Sequence, residues 1–332
     1  MKNIRNKTLR VLKTVIEENQ DFILFTHQNP DGDAIGSVLA FYYFLEELNK
    51  NPTIYMTGVV PYFYEFLLKK EVKIVKEIDR KYEVGIVFDS SDKNRITEEF
   101  DISEKVKVLI NIDHHPTNSN FGNINIVNPK AASVTEIISD IIKKLGYEIS
   151  INVAECILTG LITDTGSFKF SNTNYKSLKI ASDLVKKGAN ISKISKEIYE
   201  KRKMASLKLM GIALLRLQLY RNIGWSFIEE EDMKVNGASQ EDIEGIIDLL
   251  RTLKEADLVV LFYPYNKEKI KVSLRSKKDS IDVSRLALKF GGGGHKEAAG
   301  FQIDKTQMNS YDDFIKKIDS YINSDEWVYT HK

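Results

Sequence analysis

This sequence predicts a parallel α/β domain joined by a helical linker to a smaller α+β domain with a mixed sheet. Three observations carry the prediction. Short apolar runs at 22–25, 53–56, 84–88 and 106–112 are separated by helix-compatible sequence, an order that builds parallel strands with crossover helices. The run Val84 to Phe88 contains only Val, Gly, Ile and Phe, as expected of a strand covered on both faces. Beyond residue 221, short strand-like runs interleave with helix-like ones, the pattern of an α+β unit. The expected divisions are 1–189, 190–220 for the linker, and 221–332.

In chain order, residues 3–18 read as an amphipathic helix, with Ile4, Leu9, Leu12 and Ile16 at near-helical spacing. The strand at 22–25 leads into His27-Gln28-Asn29-Pro30-Asp31-Gly32-Asp33. Pro30 fixes the approach to this turn and Gly32 permits a tight bend; a helix follows over 34–48. Strand 84–88 ends at Asp89, and strand 106–112 delivers Asp113-His114-His115-Pro116. Helices are expected at 132–145, ending at Gly146, and at 152–163, just before Asp164. Further helices at 176–187, 191–200 and 204–219 lead through the linker; the last is rich in Leu and Met and is a candidate homodimer surface. The second domain is expected to hold strands at 225–228, 258–263, 270–274 and 300–303, with helices at 241–253, 283–289 and 311–322. Gly291-Gly292-Gly293-Gly294-His295-Lys296 precedes the last of these strands.

Composition narrows the function. The 48 basic and 47 acidic residues nearly cancel, giving a formal charge of +1, which argues against a protein that tracks long nucleic acid. A short phosphorylated substrate needs only a local basic pocket. Cys156, the single cysteine, excludes an intrachain disulfide and a thiolate metal cage and fits a reducing cytosol. Its apolar helical setting makes it a core residue. The first 19 residues lack an uninterrupted apolar block and no run reaches the roughly 20 apolar residues that span a bilayer. A cytoplasmic location away from membranes is therefore expected.

His27, Asp31, Asp33, Asp89, His114 and Asp164 fall at turns that the strand reading gathers at one rim, where ligands collect in open α/β sheets. Imidazole nitrogen and carboxylate oxygen, without sulfur, suit Mn²⁺, Mg²⁺ or Fe²⁺. This donor set is large enough for two ions if one carboxylate bridges them. Asp89 is the expected bridge, because a lone ionised acid at the end of so apolar a strand would be costly. Neighbouring residues of an extended strand point to opposite sides, so His114 is assigned to metal and His115 to the substrate phosphate or leaving oxygen, with Asp113 orienting a histidine.

The tetraglycine could surround a phosphate with backbone N–H groups or serve only as a connector. Walker-type binding is disfavoured because His295-Lys296-Glu297 follows Gly294. Arg275 falls on the strand face opposite Val272 and Leu274 and offers a bidentate grip on phosphate. Tyr263 and Tyr265 are candidates for base stacking.

His27 to Asp33, Asp89, Asp113-His114-His115 and Asp164 resemble, in order, the four motifs of the DHH phosphoesterase superfamily. Gly291 to His295, followed by Ala298-Ala299-Gly300, resembles the signature of the associated DHHA1 domain, so the likeness spans essentially the whole chain. It implies two Mn²⁺, replaceable by Mg²⁺, Fe²⁺ or Co²⁺: one held by His27, Asp31 and Asp89, the other by Asp33, Asp89, His114 and Asp164. It further implies that Asp113 and His115 serve catalysis, while Arg275, Gly291, Gly292, Gly293, Gly294 and His295 contact substrate. The implied reaction is hydrolysis of very short oligonucleotides (nanoRNA, linear dinucleotides such as pApA) and of 3′-phosphoadenosine 5′-phosphate. A cyclic-di-AMP phosphodiesterase is the alternative, and a catalytically silent nucleotide-sensing module is a third reading. The related family II pyrophosphatases carry a Ser-Arg-Lys-Lys motif, whereas this chain has Arg275-Ser276-Lys277-Lys278 and the glycine run.

Overall fold

A computed structural model describes residues 6–69, 71–277 and 281–323. Residues 3–5 of the expected first helix, and Lys278, lie outside the described residues. The chain forms two compact units that part between Lys201 and Arg202.

The first unit is built on a six-stranded sheet of order β3-β2-β1-β4-β5-β6. Its strands are β1 (Asp21–Phe25), β2 (Asn51–Tyr55), β3 (Ile74–Val75), β4 (Tyr82–Phe88), β5 (Val106–Asp113) and β6 (Ile124–Val127), and every pairing is parallel. Among the described residues six helices accompany it: α1 (Asn6–Glu18), α2 (Gly32–Glu47), α3 (Val134–Lys144), α4 (Ile151–Asp164), α5 (Tyr175–Lys186) and α6 (Ile191–Tyr199). Phe22, Leu24, Val84, Ile86, Phe88, Ile110 and Ile112 face this helical layer. Ile23, Phe25, Val87 and Leu109 face the other way, onto Ile78, Ile96 and Ile102. Both faces of the central strands are thus apolar, which is why 84–88 reads as a continuous hydrophobic run.

Crossover helices were expected between all the early strands, and here the structure differs. Between β4 and β5 the chain makes two 3₁₀ turns, Lys93–Arg95 and Ile102–Lys105. Asp92 accepts the Asn94 N–H and Asp101 the Ser103 N–H; such local side-chain bonds compete with helix formation. Between β2 and β4 lie a 3₁₀ turn (Tyr62–Leu67) and β3. Strands β3 and β6 were too short to leave a periodic signature.

Glycine sets how closely α2 and α4 approach. A Cβ at Gly36 would stand 2.6 Å from the Cys156 carbonyl oxygen, and one at Gly32 would stand 2.4 Å from Thr163 Cγ2. Only a residue without a side chain fits there. The start of α2 is thereby held beside the end of α4.

The second unit contains β7 (Gln218–Tyr220), β8 (Ile223–Phe227), β9 (Leu258–Pro264), β10 (Lys269–Ser276), β11 (Gly293–Gly294) and β12 (Ala298–Asp304), in the order β11-β12-β10-β9-β8-β7. The β8–β9 pairing is parallel and the others antiparallel, which makes the sheet mixed. Its helices are α7 (Met204–Leu215), α8 (Glu230–Asn236), α9 (Ile246–Leu250), α10 (Val283–Lys289) and α11 (Tyr311–Ile322). Val260, Phe262, Val272 and Leu274 pack on α10 and α11, while Val259 and Leu261 pack on α7 and α9.

Two helices expected here are shorter than the sequence pattern indicated. The helix expected at 204–219 stops at Leu215, and Gln218–Tyr220 pair instead with β8 across a turn at Arg221, φ +54°. The interval 190–220, expected as a linker, is shared: α6 belongs to the first unit and α7 to the second. The helix expected at 241–253 is a 3₁₀ turn (Gln240–Ile243) and the short α9. Gly245, at φ +82° and with the Arg202 guanidinium 2.5 Å from where a Cβ would stand, separates them. Met204, Leu207, Leu214 and Leu215 leave α7 with an exposed apolar face. Among the described residues, no helix is long and apolar enough to cross a membrane.

Candidate metal centre

Parallel register aligns the strand ends. Phe25 pairs with Val87, and Phe88 with Ile112, so His27, Asp89 and His114 leave neighbouring strands at one level, at the carboxyl rim where such sheets bind ligands. Asp89 has φ +56° and its N–H donates to the Ile112 carbonyl at 3.1 Å; aspartate tolerates this left-handed conformation better than most residues. Asp31 caps α2, its Oδ1 accepting the N–H groups of Asp33 (3.1 Å) and Ala34 (3.0 Å). Asp164 is the last residue of α4, not the first beyond it.

The structure brings the sequence-selected ligands together. Donor atoms of His27, Asp31 and Asp89 lie within 4.8 Å of one another, and so do those of Asp33, Asp89 and His114. Asp89 belongs to both groups. Its Oδ2 is 3.8 Å from His27 Nε2, and its Oδ1 is 3.6 Å from His114 Nε2. The same His114 nitrogen lies 3.6 Å from Asp164 Oδ2. These separations are too long for hydrogen bonds. Donors each about 2.1 Å from a common ion stand roughly 3 Å or more apart, so the spacing fits an ion held between them.

Electrostatics give the same answer. Asp89 Oδ1 is buried and, among the described residues, lacks a hydrogen-bond partner. Burial, reinforced by Asp31, Asp33, Asp113 and Asp164, pushes the Asp89 carboxyl well above the ordinary carboxylate range. Cations would relieve that repulsion. His114 Nδ1 lies 3.3 Å from the Ala131 carbonyl oxygen and must donate to it, which directs Nε2 toward Asp89 and Asp164.

Asp113 and His115 form a hydrogen-bonded pair that lies beside Asp89, donor atoms of all three being within 4.8 Å of one another. His115 Nδ1 lies 2.8 Å from Asp113 Oδ1, and Asn118 donates to Asp113 Oδ2 at 2.6 Å. Burial opposes ionisation of Asp113, but the bonds and charge of His115 together with Asn118 outweigh it and hold the carboxyl well below its usual range. Asp113 is therefore an acceptor and His115 Nδ1–H the donor. Burial lowers the His115 pKa. The two histidine rings stand 5.1 Å apart at 81°, and His115 Nδ1 lies 3.5 Å from Asp89 Oδ1, the oxygen that also faces His114 Nε2.

Asp33 reveals a contribution that the sequence reading missed. Its Oδ2 accepts the Val134 N–H at 2.6 Å, and its Oδ1 accepts the Thr135 N–H at 3.0 Å and hydroxyl at 2.8 Å. Asp33 thus sits on the first turn of α3, whose positive end favours a carboxylate. The available signal was Ser133-x-x-Glu136, an N-terminal capping pattern; Ser133 Oγ indeed accepts the Glu136 N–H at 3.0 Å.

In the second unit, Arg275 is already paired: its Nε donates to Asp248 Oδ1 at 2.9 Å and its Nη1 to the Leu274 carbonyl at 3.2 Å. The phosphate grip expected from an open strand face therefore starts from a tethered guanidinium. The glycine run is partly strand, with Gly293 opposite Gly300 and Gly294 opposite Ala299. Gly291 and Gly294 have φ +72° and +142°, and a Cβ at Gly292 would stand 2.2 Å from the Gly300 oxygen. Gly293 meets neither demand, having nothing among the described residues within 4 Å of a Cβ and no positive φ. The His295 N–H donates to the Ala298 carbonyl at 2.7 Å. Tyr263 hydrogen-bonds Ser273 at 3.2 Å, an anchorage that favours packing over base stacking; Tyr265 lies in the turn after β9.

Residues 21–161 match the description of the DHH family, N-terminal domain, and residues 232–324 that of the DHHA1 domain. The chain is 33% identical over 279 residues to the bifunctional oligoribonuclease and PAP phosphatase NrnA of Thermus thermophilus, covering 83% of this chain and 82% of that protein. It is 30% identical over 289 residues to the Bacillus subtilis protein of the same name, with 85% and 88% covered. Among solved structures, an exopolyphosphatase-related protein from Bacteroides fragilis superposes with a TM-score of 0.85 at 28% identity, covering 96% of each chain. The chain belongs to the DHH family, among the phosphoesterases that join a DHH domain to a DHHA1 domain.

Proposed function

We propose that this protein is a divalent-metal-dependent hydrolase of very short oligonucleotides, such as nanoRNA and linear dinucleotides, and of 3′-phosphoadenosine 5′-phosphate. The observation that carries the reading is Asp89, whose two oxygens face separate histidines within separate donor groups. The names of the Thermus and Bacillus relatives support the substrate class. His27, Asp31 and Asp89 would hold one ion, with Asp33, Asp89, His114 and Asp164 holding the second. Mn²⁺ suits the nitrogen and oxygen donors. The ions would supply positive charge against phosphoryl oxygens and lower the pKa of the attacking water.

The chain's own groups do the rest. Asp113 and Asn118 fix His115 through its Nδ1–H, and its Nε2 would be the atom that exchanges a proton with the substrate or leaving oxygen. Arg275, oriented by Asp248, and the loop Gly291 to Gly294 with His295 would contact a substrate phosphate. Gly293 supports this role, since neither its backbone nor its neighbours require glycine; open space there suits close approach of a ligand.

The test is a panel of linear dinucleotides, longer oligomers, 3′-phosphoadenosine 5′-phosphate and cyclic dinucleotides, each incubated with Mn²⁺. Linear dinucleotides and 3′-phosphoadenosine 5′-phosphate are expected to turn over fastest. Preferential cleavage of cyclic-di-AMP would move the assignment to the cyclic phosphodiesterase, and binding without turnover would move it to a sensor. Arg275→Ala is expected to raise KM about 10- to 100-fold, the worth of one charged hydrogen bond, with kcat nearly unchanged. An unaltered KM would remove Arg275 from the substrate site.

A further inference from the structure

We propose that the segment 131–135 fastens the ligands of one metal site and leaves the other untouched, with Thr135 as its positioning residue; this rests on the two-ion reading above. The Ala131 carbonyl accepts from His114 Nδ1. Val134 and Thr135 give Asp33 its three donors. Asn172 donates from Nδ2 to the Ala132 carbonyl and to the Asp164 carbonyl, each at 3.0 Å. Asp33, His114 and Asp164 are therefore all tied to one short stretch of chain. His27 and Asp31 are secured elsewhere: the next residue, Gln28, donates its N–H to the Arg95 carbonyl at 2.9 Å, and Asp31 caps its own helix.

Thr135 has a specific place in this arrangement. A carboxylate offers about four acceptor sites, and three donors from α3 leave Asp33 one direction in which to bind an ion. The Thr135 hydroxyl is one of those donors. Because it donates to Asp33, its oxygen must accept from Ser133 Oγ, 2.7 Å away, and Ser133 in turn accepts the Glu136 N–H. The chain of hydrogen bonds runs from Glu136 through Ser133 and Thr135 to Asp33, each link polarising the next. Ser133, Thr135 and Asp33 are all at most 1% exposed, so water cannot replace the hydroxyl. Gly160 closes the other side, where a Cβ would stand 2.5 Å from Thr135 Cγ2 and 2.6 Å from Asp33 Oδ1. Partners of this kind typically contribute 10- to 100-fold in metal affinity.

The experiment is titration of the metal-free full chain with MnCl₂, counting free Mn²⁺ by electron paramagnetic resonance, alongside circular dichroism melting. Wild type is expected to bind two ions. Thr135→Val, which keeps the shape and removes the hydroxyl, is expected to weaken one site about 10- to 100-fold and leave the other within about threefold. Thr135→Ser, which restores the hydroxyl, should return both sites to near wild-type affinity. Asn172→Ala frees the same segment from a less buried position and should weaken the same single site, providing the readout if Thr135→Val does not fold. Wild-type affinity at both sites in a folded Thr135→Val, or in Asn172→Ala, overturns the proposal, and so does equal weakening of both sites. A wild-type protein that binds fewer than two ions overturns the two-ion reading itself, and this inference with it.

Discussion

Asp89→Asn is expected to lower turnover on the order of 10³-fold or more while leaving the fold intact. Asparagine, like aspartate, tolerates the left-handed backbone at φ +56°, and its N–H can still reach the Ile112 carbonyl. What disappears is the charge between the two donor groups. An amide nitrogen placed toward His27 or His114 would also face a cation with hydrogens instead of a lone pair. Full Mn²⁺-dependent activity in this variant would refute the metal assignment.

The same residue predicts a pH dependence. Burial and the neighbouring acids raise the carboxyl of Asp89 well above its ordinary range in the metal-free protein. A group whose folded-state pKa is raised contributes stability below its unfolded pKa and loses it as pH climbs through the folded value. The metal-free protein should therefore lose this contribution as pH rises above the ordinary carboxylate range. Ion binding must displace that proton, so Mn²⁺ affinity and the thermal stabilisation by Mn²⁺ should both increase with pH. Calorimetric titrations in buffers of different ionisation enthalpy would detect the released proton. Asp89→Asn should release fewer protons, and equal release by both proteins would place the displaced proton elsewhere.

Gly36→Ala is expected to destabilise the first unit. Alanine improves helix propensity by about 1 kcal/mol, yet its Cβ would stand 2.6 Å from the Cys156 carbonyl oxygen, a backbone atom that cannot rotate aside. Separating α2 from α4 is expected to cost a net ~2 kcal/mol, lowering the melting temperature of the first unit by roughly 4–8 °C. Because α2 begins at Asp31 and Asp33 and α4 ends at Asp164, Mn²⁺ affinity should fall as well. An unchanged melting temperature would mean that the helices can part without cost, and the geometric link between Gly36 and the metal centre would be lost.

The strand ends were legible because their signal is local. An apolar run followed at once by Asp89, or by Asp113-His114-His115, states where a side chain leaves the sheet, whatever the rest of the chain does. The Asp92 and Asp101 turns show the opposite case: the sequence between β4 and β5 is compatible with a helix, but short-range hydrogen bonds win where no core-facing stripe stabilises one. Gly245 likewise interrupts an apolar helical pattern through its backbone conformation, which periodicity does not record.

By itself the sequence determined which side chains are candidates for metal binding, along with the parallel order of the strands that carry most of them, because alternation, apolar runs and turn residues act over a few neighbours. Tertiary structure alone decided how those groups are held: Asp33 on the first turn of α3, Asp164 beside His114, Arg275 on Asp248, Gly36 against Cys156. These contacts join residues far apart in the chain, where hydrogen-bond geometry and excluded volume act only after packing, and such forces leave no periodic trace in the order of amino acids.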